Sequence, residues 1–379
     1  MPLAESLKGT WDHIQGFLFP LLHEEVGPLT ETHRRLVIVL EVARPETFVG
    51  EWRCGVGRPR DDRRAIARAF VAKVVFGLST TSGLIERLAV DRTLRRLCGW
   101  ERLSQVPSEA TFSRAFAEFA RSGLPTRVHE ALIKNTHADR LVGHISRDAT
   151  AIEAREKPLQ EAKPAATVKR GRGRPKKGFE SGRPKVTRRL ERQGAMSLAQ
   201  MLADLPTRCT TGAKLNAKGH MTSWIGYKLH MDVADGDIPI SCLLTSASLH
   251  DSQAAIPLAT LTATRASSLY DLMDSAYDAP EIWAHSLALG HVPLIAKHPR
   301  NTAGKAAMVM EGAARRRANY RLAEDVRRAG RSTAERVNSA LKDTYGGRHV
   351  RVRGHAKVAC HLMFGVLALT VEQILRLMV

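Results

Sequence analysis

The apolar residues follow two successive patterns along the chain. Up to about residue 137 they recur at helical spacing, and segment 63–75 is typical, with several alanines that favour a helix. From about residue 139, short apolar runs rich in β-branched residues alternate with helical segments. The pattern therefore predicts a helical N-terminal region followed by an α/β domain.

Individual elements of the α/β part can be predicted as well. Segments 224–234 and 238–245 indicate a β-hairpin, because residues of strand type flank a turn that contains Gly236. Residues 348–353 are either a short basic strand or a loop. The other predicted elements are strands near 141–152, 269–273 and 291–296, and helices at 196–205, 252–264, 280–289, 305–328, 333–343 and 357–378.

Three of these elements each carry a notable acidic residue. Asp148 lies in the first strand, Asp274 directly follows strand 269–273, and Glu335 lies on helix 333–343. A single Asp at a strand end is usually a turn former, and a buried carboxylate is costly unless it is paired or binds a metal. Two strand-end Asp residues and one helical Glu together make a hard oxygen site, which suits Mg2+.

Helix 333–343 is predicted to carry polar and charged residues on one face. Arg331, Glu335, Asn338 and Lys342 follow one another at spacings of four, three and four. On this face, Arg331 and Lys342 could hold phosphates near Glu335. The alternative for Arg331 is a surface ion pair with Glu335, which contributes little to stability.

These three motifs resemble the DDE transposases of bacterial insertion sequences, in the group whose third motif reads Tyr-x2-Arg-x3-Glu-x6-Lys. Arg331, Glu335 and Lys342 match that motif at its spacing, whereas Arg328 occupies the Tyr position. The resemblance covers roughly residues 60 to 379. Further strings that carry it are Asp-Ala-Thr-Ala-Ile-Glu-Ala-Arg-Glu at 148–156, Leu-His-Asp-Ser at 249–252 and Gly-Gly-Arg at 346–348.

The resemblance implies a ribonuclease-H-like catalytic domain at 138–379, preceded by a helical DNA-binding and assembly domain at 1–137. It implies that Asp148, Asp274 and Glu335 bind two Mg2+ ions, with Mn2+ as a substitute, and that the protein cleaves element ends and joins them to target double-stranded DNA. The synaptic complex would contain a homodimer. Within 1–137, short helices with Ser/Thr-rich entries could be a helix-turn-helix reader of DNA or only a packed bundle.

The predicted hairpin is followed by His250 and Asp251. Together with Asn338 they are candidates for contacting the metal ligands without binding the metal themselves. The alternative for His250 and Asp251 is a surface turn that caps the following helix.

The net charge of +20 points to a polyanionic partner, most commonly nucleic acid, although solubility or an acidic protein partner would also account for it. Residues 169–192 contain eleven Lys or Arg and two Glu, within an expected insertion at about 157–222. Their centre, Arg172-Gly-Arg-Pro175, looks like an AT-hook, in which Arg side chains enter an A·T-rich minor groove. The alternative is a basic linker that contacts phosphates. The residues assigned to DNA here are Arg170, Arg172, Arg174, Lys176 and Lys177.

Cysteine usage and hydropathy fit a cytoplasmic protein, and the resemblance to insertion-sequence transposases implies a bacterial, nucleoid-associated one. The five Cys are scattered without a Cys-x-x-Cys pair, and no signal peptide is expected at the start of the chain. The most apolar stretch, 358–371, is too short for a membrane span and contains His361, so a core helix and no membrane partner are expected.

Two other functions remain compatible with the sequence. One is a non-catalytic DNA-binding protein, such as an inactive transposase descendant that acts as a repressor. The other is a ribonuclease-H-like nuclease that cuts without joining. The three intact acids favour catalysis, and the basic insertion together with the helical N-terminal region favours the transposase.

Overall fold

The structure is a computed structural model, and it describes residues 3–50, 61–138, 140–158, 187–215, 219–297 and 302–377. The five basic residues of the AT-hook-like segment lie outside these ranges.

The first part of the described chain is helical, as predicted. Local capping explains where several helices begin: the Thr30 hydroxyl accepts a hydrogen bond from the backbone N–H of His33, and the Thr80 hydroxyl accepts one from Gly83. A π-helical turn, Ile14–Leu18, joins the first two helices. The helices are α1 (Leu3–His13), α2 (Phe19–Val26), α3 (Glu31–Ala43), α4 (Arg63–Val75), α5 (Thr81–Val90), α6 (Arg92–Cys98), α7 (Glu109–Ser122) and α8 (Leu124–His137).

The second part is a mixed sheet flanked by helices. Strand β1 lies between β3, its antiparallel neighbour, and β5, its parallel neighbour; β6 pairs in parallel with β5. The strands are β1 (Leu141–Glu153), β2 (Thr210–Leu215), β3 (Met221–Ala234), β4 (Ile238–Ser246), β5 (Ser267–Met273) and β6 (Val292–Ile295). The helices are α9 (Arg189–Gln193), α10 (Leu198–Asp204), α11 (Ala255–Ala263), α12 (Pro280–Ala288), α13 (Thr302–Arg317), α14 (Ala323–Arg328), α15 (Ser332–Asp343) and α16 (His355–Arg376).

The predicted hairpin is confirmed as β3 and β4. Its turn contains Gly236 and Asp237, both with positive φ, which fits a tight connection between antiparallel strands.

Strand β2 was not predicted. It pairs with the first half of β3 while β4 pairs with the second half, so β2 extends the same edge of the sheet. Gly212 of β2 leaves room for the Trp224 ring, which a Cβ at position 212 would meet at 2.5 Å.

Helix α16 joins the two parts through one hydrophobic core. It packs against α3, α4, α7 and α8 on one side and against β4 and α15 on the other. Phe364 of α16 lies 5.8 Å from Phe70 and 6.5 Å from Phe116, measured between ring centroids. By length and composition α16 could cross a membrane, but most of it is buried inside the protein, as expected of a core helix.

One sequence prediction needs correction. The single helix expected at 305–328 is divided into α13 and α14, because the chain turns between them with Asn319 in the left-handed region at φ 49°. Of the two alternatives for residues 348–353, a short strand or a loop, the structure has the loop, which leads into α16.

Candidate active site

The register of the parallel strands brings Asp148 and Asp274 side by side. Ser146 of β1 is paired with Leu272 of β5, and the same offset two residues further on leads from Asp148 to Asp274, just past the end of β5. The two carboxylates are close enough for Asp274 to act electrostatically on Asp148. The local chain explains the position of Asp274, which caps the short 3-10 helix Ser275–Tyr277 and accepts a 2.9 Å hydrogen bond from the backbone N–H of Ala276. Asp274 is therefore at once a turn former and a neighbour of Asp148.

Helix α15 is fixed against the same face of β1. Ser146 and Asp148 share this face because side chains alternate along a strand. The Ser146 hydroxyl donates to the Arg331 carbonyl at 2.9 Å, just before α15 begins. The Asn338 amide donates to Asp148 Oδ2 at 3.1 Å. The predicted support of the acidic site by Asn338 thus corresponds to a direct contact with Asp148.

Glu335 lies on the same helix, one turn before Asn338, and its carboxylate faces solvent. Its side chain is 53% exposed, and Oε1 lies 2.6 Å from the Arg331 guanidinium. The surface ion pair that was an alternative for Arg331 is therefore present, and Arg331 also acts electrostatically on Asp148. Arg331 is thus placed between the helix Glu and the strand Asp.

The electrostatics of Asp148 are those of a partly buried acid next to another acid. Burial raises the pKa of Asp148, and the neighbouring Asp274 carboxylate raises that pKa further. The backbone N–H of Ala149, the Lys214 ammonium and the Arg331 guanidinium act in the opposite direction. An added cation would stabilise the ionised form of Asp148 and relieve its repulsion with Asp274.

The donor set fits Mg2+ in kind, because carboxylate oxygens are the ligands that this ion prefers. Within the described ranges, however, no group of three or more His, Cys, Asp and Glu side chains could hold a metal ion as they stand. The Glu335 carboxylate, in particular, is paired with Arg331. Asp148 and Asp274 form the prearranged part of the site.

Tyr277 lies beneath this pair of acids. Its ring is fully buried, and its hydroxyl has no hydrogen-bond partner among the described residues. Burial raises the pKa of Tyr277 well above its ordinary value, and Asp251, Asp148 and Asp274 raise it further, so the phenol is neutral. The Tyr277 O–H is thus a buried donor, within electrostatic range of three carboxylates, that has no acceptor among the described residues.

The two residues after the hairpin occupy different environments. Asp251 lies 2.7 Å from the Lys228 ammonium, and it influences Tyr277, so it is near the acidic site. His250 is exposed, and its ring accepts from the backbone N–H of Ser252 at 3.4 Å. His250 therefore caps the short 3-10 helix Asp251–Ala254.

The first and last positions of the third motif are Arg328, at the end of α14, and Lys342, near the end of α15. Lys342 is half-buried near the end of this helix, and burial together with Arg348 lowers its pKa, against the effect of Glu153 and Asp343. Before the helix, Arg328 forms a 3.0 Å ion pair with Asp325 of α14. The position held by Tyr in the motif thus carries an ion-paired Arg.

Comparisons with known families agree with this geometry. A family model described as Transposase DDE domain matches residues 148–371, more than half of the chain. The chain belongs to the DDE transposase family. A second model, described as Transposase domain (DUF772), matches residues 24–118, which lie in the helical part. Searches of curated proteins and of solved structures found no match.

The other face of the transposase sheet contains a buried ion pair that the sequence analysis missed. Arg147, next to Asp148, donates to both carboxylate oxygens of Asp232 at 2.8 and 2.7 Å. Although burial opposes its charge, Asp232 and Asp271 raise the pKa of Arg147, so the guanidinium remains charged. An Arg within an apolar strand was the available signal, but its partner on β3 only becomes evident from the pairing of the strands.

Proposed function

We propose that this transposase cleaves the ends of an insertion element and joins them to target double-stranded DNA by phosphoryl transfer at Asp148, Asp274 and Glu335. The observation that carries the proposal is the placement of Asp148 beside Asp274, with the helix of Glu335 hydrogen-bonded to Asp148 through Asn338. Membership in the DDE transposase family supports the same chemistry.

The arrangement of the strands supports a ribonuclease-H-like catalytic domain at 138–379. Along the sheet the order is β4-β3-β1-β5-β6, in which the first three strands are antiparallel and the last two join β1 in parallel. In this proposal the helical region 1–137 binds DNA and mediates assembly, and about 157–222 is an insertion that contributes β2 to the sheet edge.

We propose Mg2+ as the cofactor, in a pair of ions held by Asp148, Asp274 and Glu335, with Mn2+ as a substitute. When bound, such ions activate the attacking oxygen and stabilise the leaving oxygen of a phosphodiester. The chain's own contribution is positional: Asn338 orients Asp148, and Asp274 is fixed by its cap on the next turn. Glu335 would complete the set of ligands, which requires its carboxylate to leave the ion pair with Arg331.

Once released from Glu335, the Arg331 side chain would be able to bind a DNA phosphate. The guanidinium lies close enough to lower the pKa of Asp148, so it is near the proposed reaction centre. A guanidinium binds phosphate through two parallel hydrogen bonds, and Lys342 provides a further cation on the same helix. DNA contacts outside the described ranges are assigned to Arg170, Arg172, Arg174, Lys176 and Lys177.

The partners and compartment follow from this function. The net charge of +20 suits double-stranded DNA, both element ends and target. Cleavage at two ends requires two active sites in one synaptic complex, for which a homodimer is the simplest arrangement. The proposed setting is the bacterial cytoplasm, in association with the nucleoid.

Asp148→Asn tests the catalytic assignment. The substitution removes a metal-ligand charge while the new amide oxygen can still accept from Asn338, so cleavage should fall at least a hundredfold and DNA binding should stay within about twofold. Both are measured in Mg2+ on one labelled duplex containing an element end. The control is Glu101→Gln, which removes an exposed acid of the helical part and should leave cleavage intact.

The same assay separates the competing functions. A non-catalytic DNA-binding protein would bind the duplex without cleaving it in any variant. A nuclease that does not join would produce free ends without strand-transfer products. Retention of cleavage by Asp148→Asn would show that the catalytic residues are elsewhere.

A further inference from the structure

A cavity of about 160 Å3 lies where the helical part meets the end of α15. One wall is the end of α4 and the turn that follows it, and the other is the end of α15 and the loop after it. The lining residues are Lys73, Val74, Gly77, Leu78, Ser79, Lys342, Asp343, Thr344, Gly346, His349 and His361. We refer to it as the Lys73 pocket.

Lys73 is the unusual member of this lining. Its side chain is only 9% exposed, and no hydrogen bond or ion pair to its ammonium is present among the described residues. Burying an ammonium without an acid is costly, so such residues are rare unless a ligand or a function compensates. Burial lowers the pKa of Lys73 to about 8, which still leaves the amine mostly protonated at neutral pH.

The remaining charges of the pocket do not compensate Lys73. Asp343 is engaged with Arg348 at 2.7 Å and with the Ser339 hydroxyl at 2.8 Å. Lys342 adds a second cation from the opposite wall. The pocket therefore carries an excess of positive charge.

The polar groups around these cations also suit an anion. Ser79 and Thr344 are exposed hydroxyl residues in the lining, so they can donate. His361 donates from Nε2 to the Gly346 carbonyl at 3.0 Å, and burial lowers its pKa to about 4, so it is neutral. Two ammonium groups and hydroxyl donors around a small cavity form a phosphate-binding environment.

We propose that the Lys73 pocket binds a backbone phosphate of DNA and thereby ties the helical part to the catalytic part. DNA is favoured over free phosphate because Lys342 lies on the helix of Glu335, seven residues further on, or about 10.5 Å along the axis. Along one DNA strand that distance corresponds to about three nucleotides at 3.4 Å each. The DNA identity of the phosphate rests on the proposed function.

The first test measures binding to a labelled duplex of arbitrary sequence over a salt series, with Lys73→Met against wild type. Loss of one phosphate contact should reduce the magnitude of the slope of log K against log salt by about 0.9. The ratio of wild-type to mutant affinity should therefore be about eightfold larger at 0.1 M salt than at 1 M. The control is Lys134→Met, which removes an exposed lysine paired with Glu130 and should keep the wild-type slope.

The second test uses inorganic phosphate as the probe and needs no DNA. Phosphate should raise the Tm of the wild-type protein more than chloride at equal ionic strength, and Lys73→Met should lose this difference. If Lys73→Met does not fold, Lys73→Gln takes its place, and the wild-type phosphate effect remains measurable.

The outcomes are distinct. A lower salt slope together with a lost phosphate effect supports the proposal. An unchanged slope overturns it, and a phosphate effect with an unchanged slope assigns the pocket to free phosphate instead. Because neither measurement depends on cleavage, failure of the proposed catalytic function would leave these results interpretable.

Discussion

Asn338 Nδ2 donates a 3.1 Å hydrogen bond to Asp148 Oδ2, so the helix that carries Glu335 is bound directly to the strand that carries Asp148. Asn338 is buried, and its Oδ1 has no partner among the described residues. The contact with Asp148 is therefore the main polar role of this side chain in the structure.

Asn338→Ala should reduce Mg2+ affinity or activity by about 10- to 100-fold, because partners that orient a metal-binding carboxylate have effects of this size. The measurement is cleavage rate against Mg2+ concentration. A positioning role predicts a higher half-saturating concentration, whereas a purely structural role would change stability and leave that concentration unchanged. Ser339→Ala, on the exposed side of the same helix, serves as the control.

Stability should depend on pH through Lys73. Its pKa is about 8 in the folded protein against an ordinary value of 10.5, so between these values the unfolded chain binds more protons. The free energy of unfolding therefore gains a contribution from Lys73 as the pH rises through this window. Below pH 8 Lys73→Met should be more stable than wild type by up to about 3 kcal/mol, and this difference should vanish near pH 10.5.

Urea unfolding at several pH values measures that difference. Other groups, including Lys342, are present in both proteins and cancel to a first approximation. The free energy of unfolding of Lys134→Met should differ from that of wild type by the same amount at every pH. A difference between Lys73→Met and wild type that does not change with pH would contradict the assignment of a buried, charged Lys73.

The buried pair behind Asp148 should matter strongly for stability. Arg147→Met leaves Asp232 buried without its partner and should lower the free energy of unfolding by about 3 to 5 kcal/mol. Adding Asp232→Leu should recover much of that loss. The comparison is Arg336→Met, which breaks an exposed pair with Asp237 and should cost under about 1 kcal/mol. Equal losses for the buried and the exposed pair would refute this account.

The basic insertion is tested by Arg172→Ala combined with Arg174→Ala. A minor-groove hook should lose affinity mainly on A·T-rich duplexes, since the narrow groove attracts these Arg side chains. A basic linker should lose affinity equally on all duplexes, with a salt slope smaller by up to about 2. Salt series on A·T-rich and G·C-rich duplexes of equal length distinguish the two, and no loss on either would remove the segment from the DNA interface.

The elements that carry the acidic residues could be predicted from sequence because their signals are local. Strand 269–273 and helix 333–343 correspond to β5 and α15, since apolar runs and helical spacing are properties of adjacent residues. Strand β2 was missed because its segment is mostly polar and contains Gly212, although its partner β3 is the next strand along the chain. The break between α13 and α14 was missed because Asn319 carries only a weak turn signal.

The same distinction applies to the site. The spacing of Arg331, Glu335, Asn338 and Lys342 could be read directly from the chain, but their contacts could not. Nothing local indicates that the Tyr277 hydroxyl finds no partner among the described residues near the acids, or that Lys73 is buried opposite Lys342. Such features arise where segments far apart in sequence meet.

The position of α16 also has a consequence during synthesis. The N-terminal helices that pack on it end at His137, whereas α16 begins at His355, so about 220 residues must be translated before this partner exists. At about 5 to 20 residues per second the wait is roughly 10 to 40 s. During that time Phe70, Phe116 and their neighbours lack Phe364, and the nascent chain should depend on chaperones that bind exposed apolar surface.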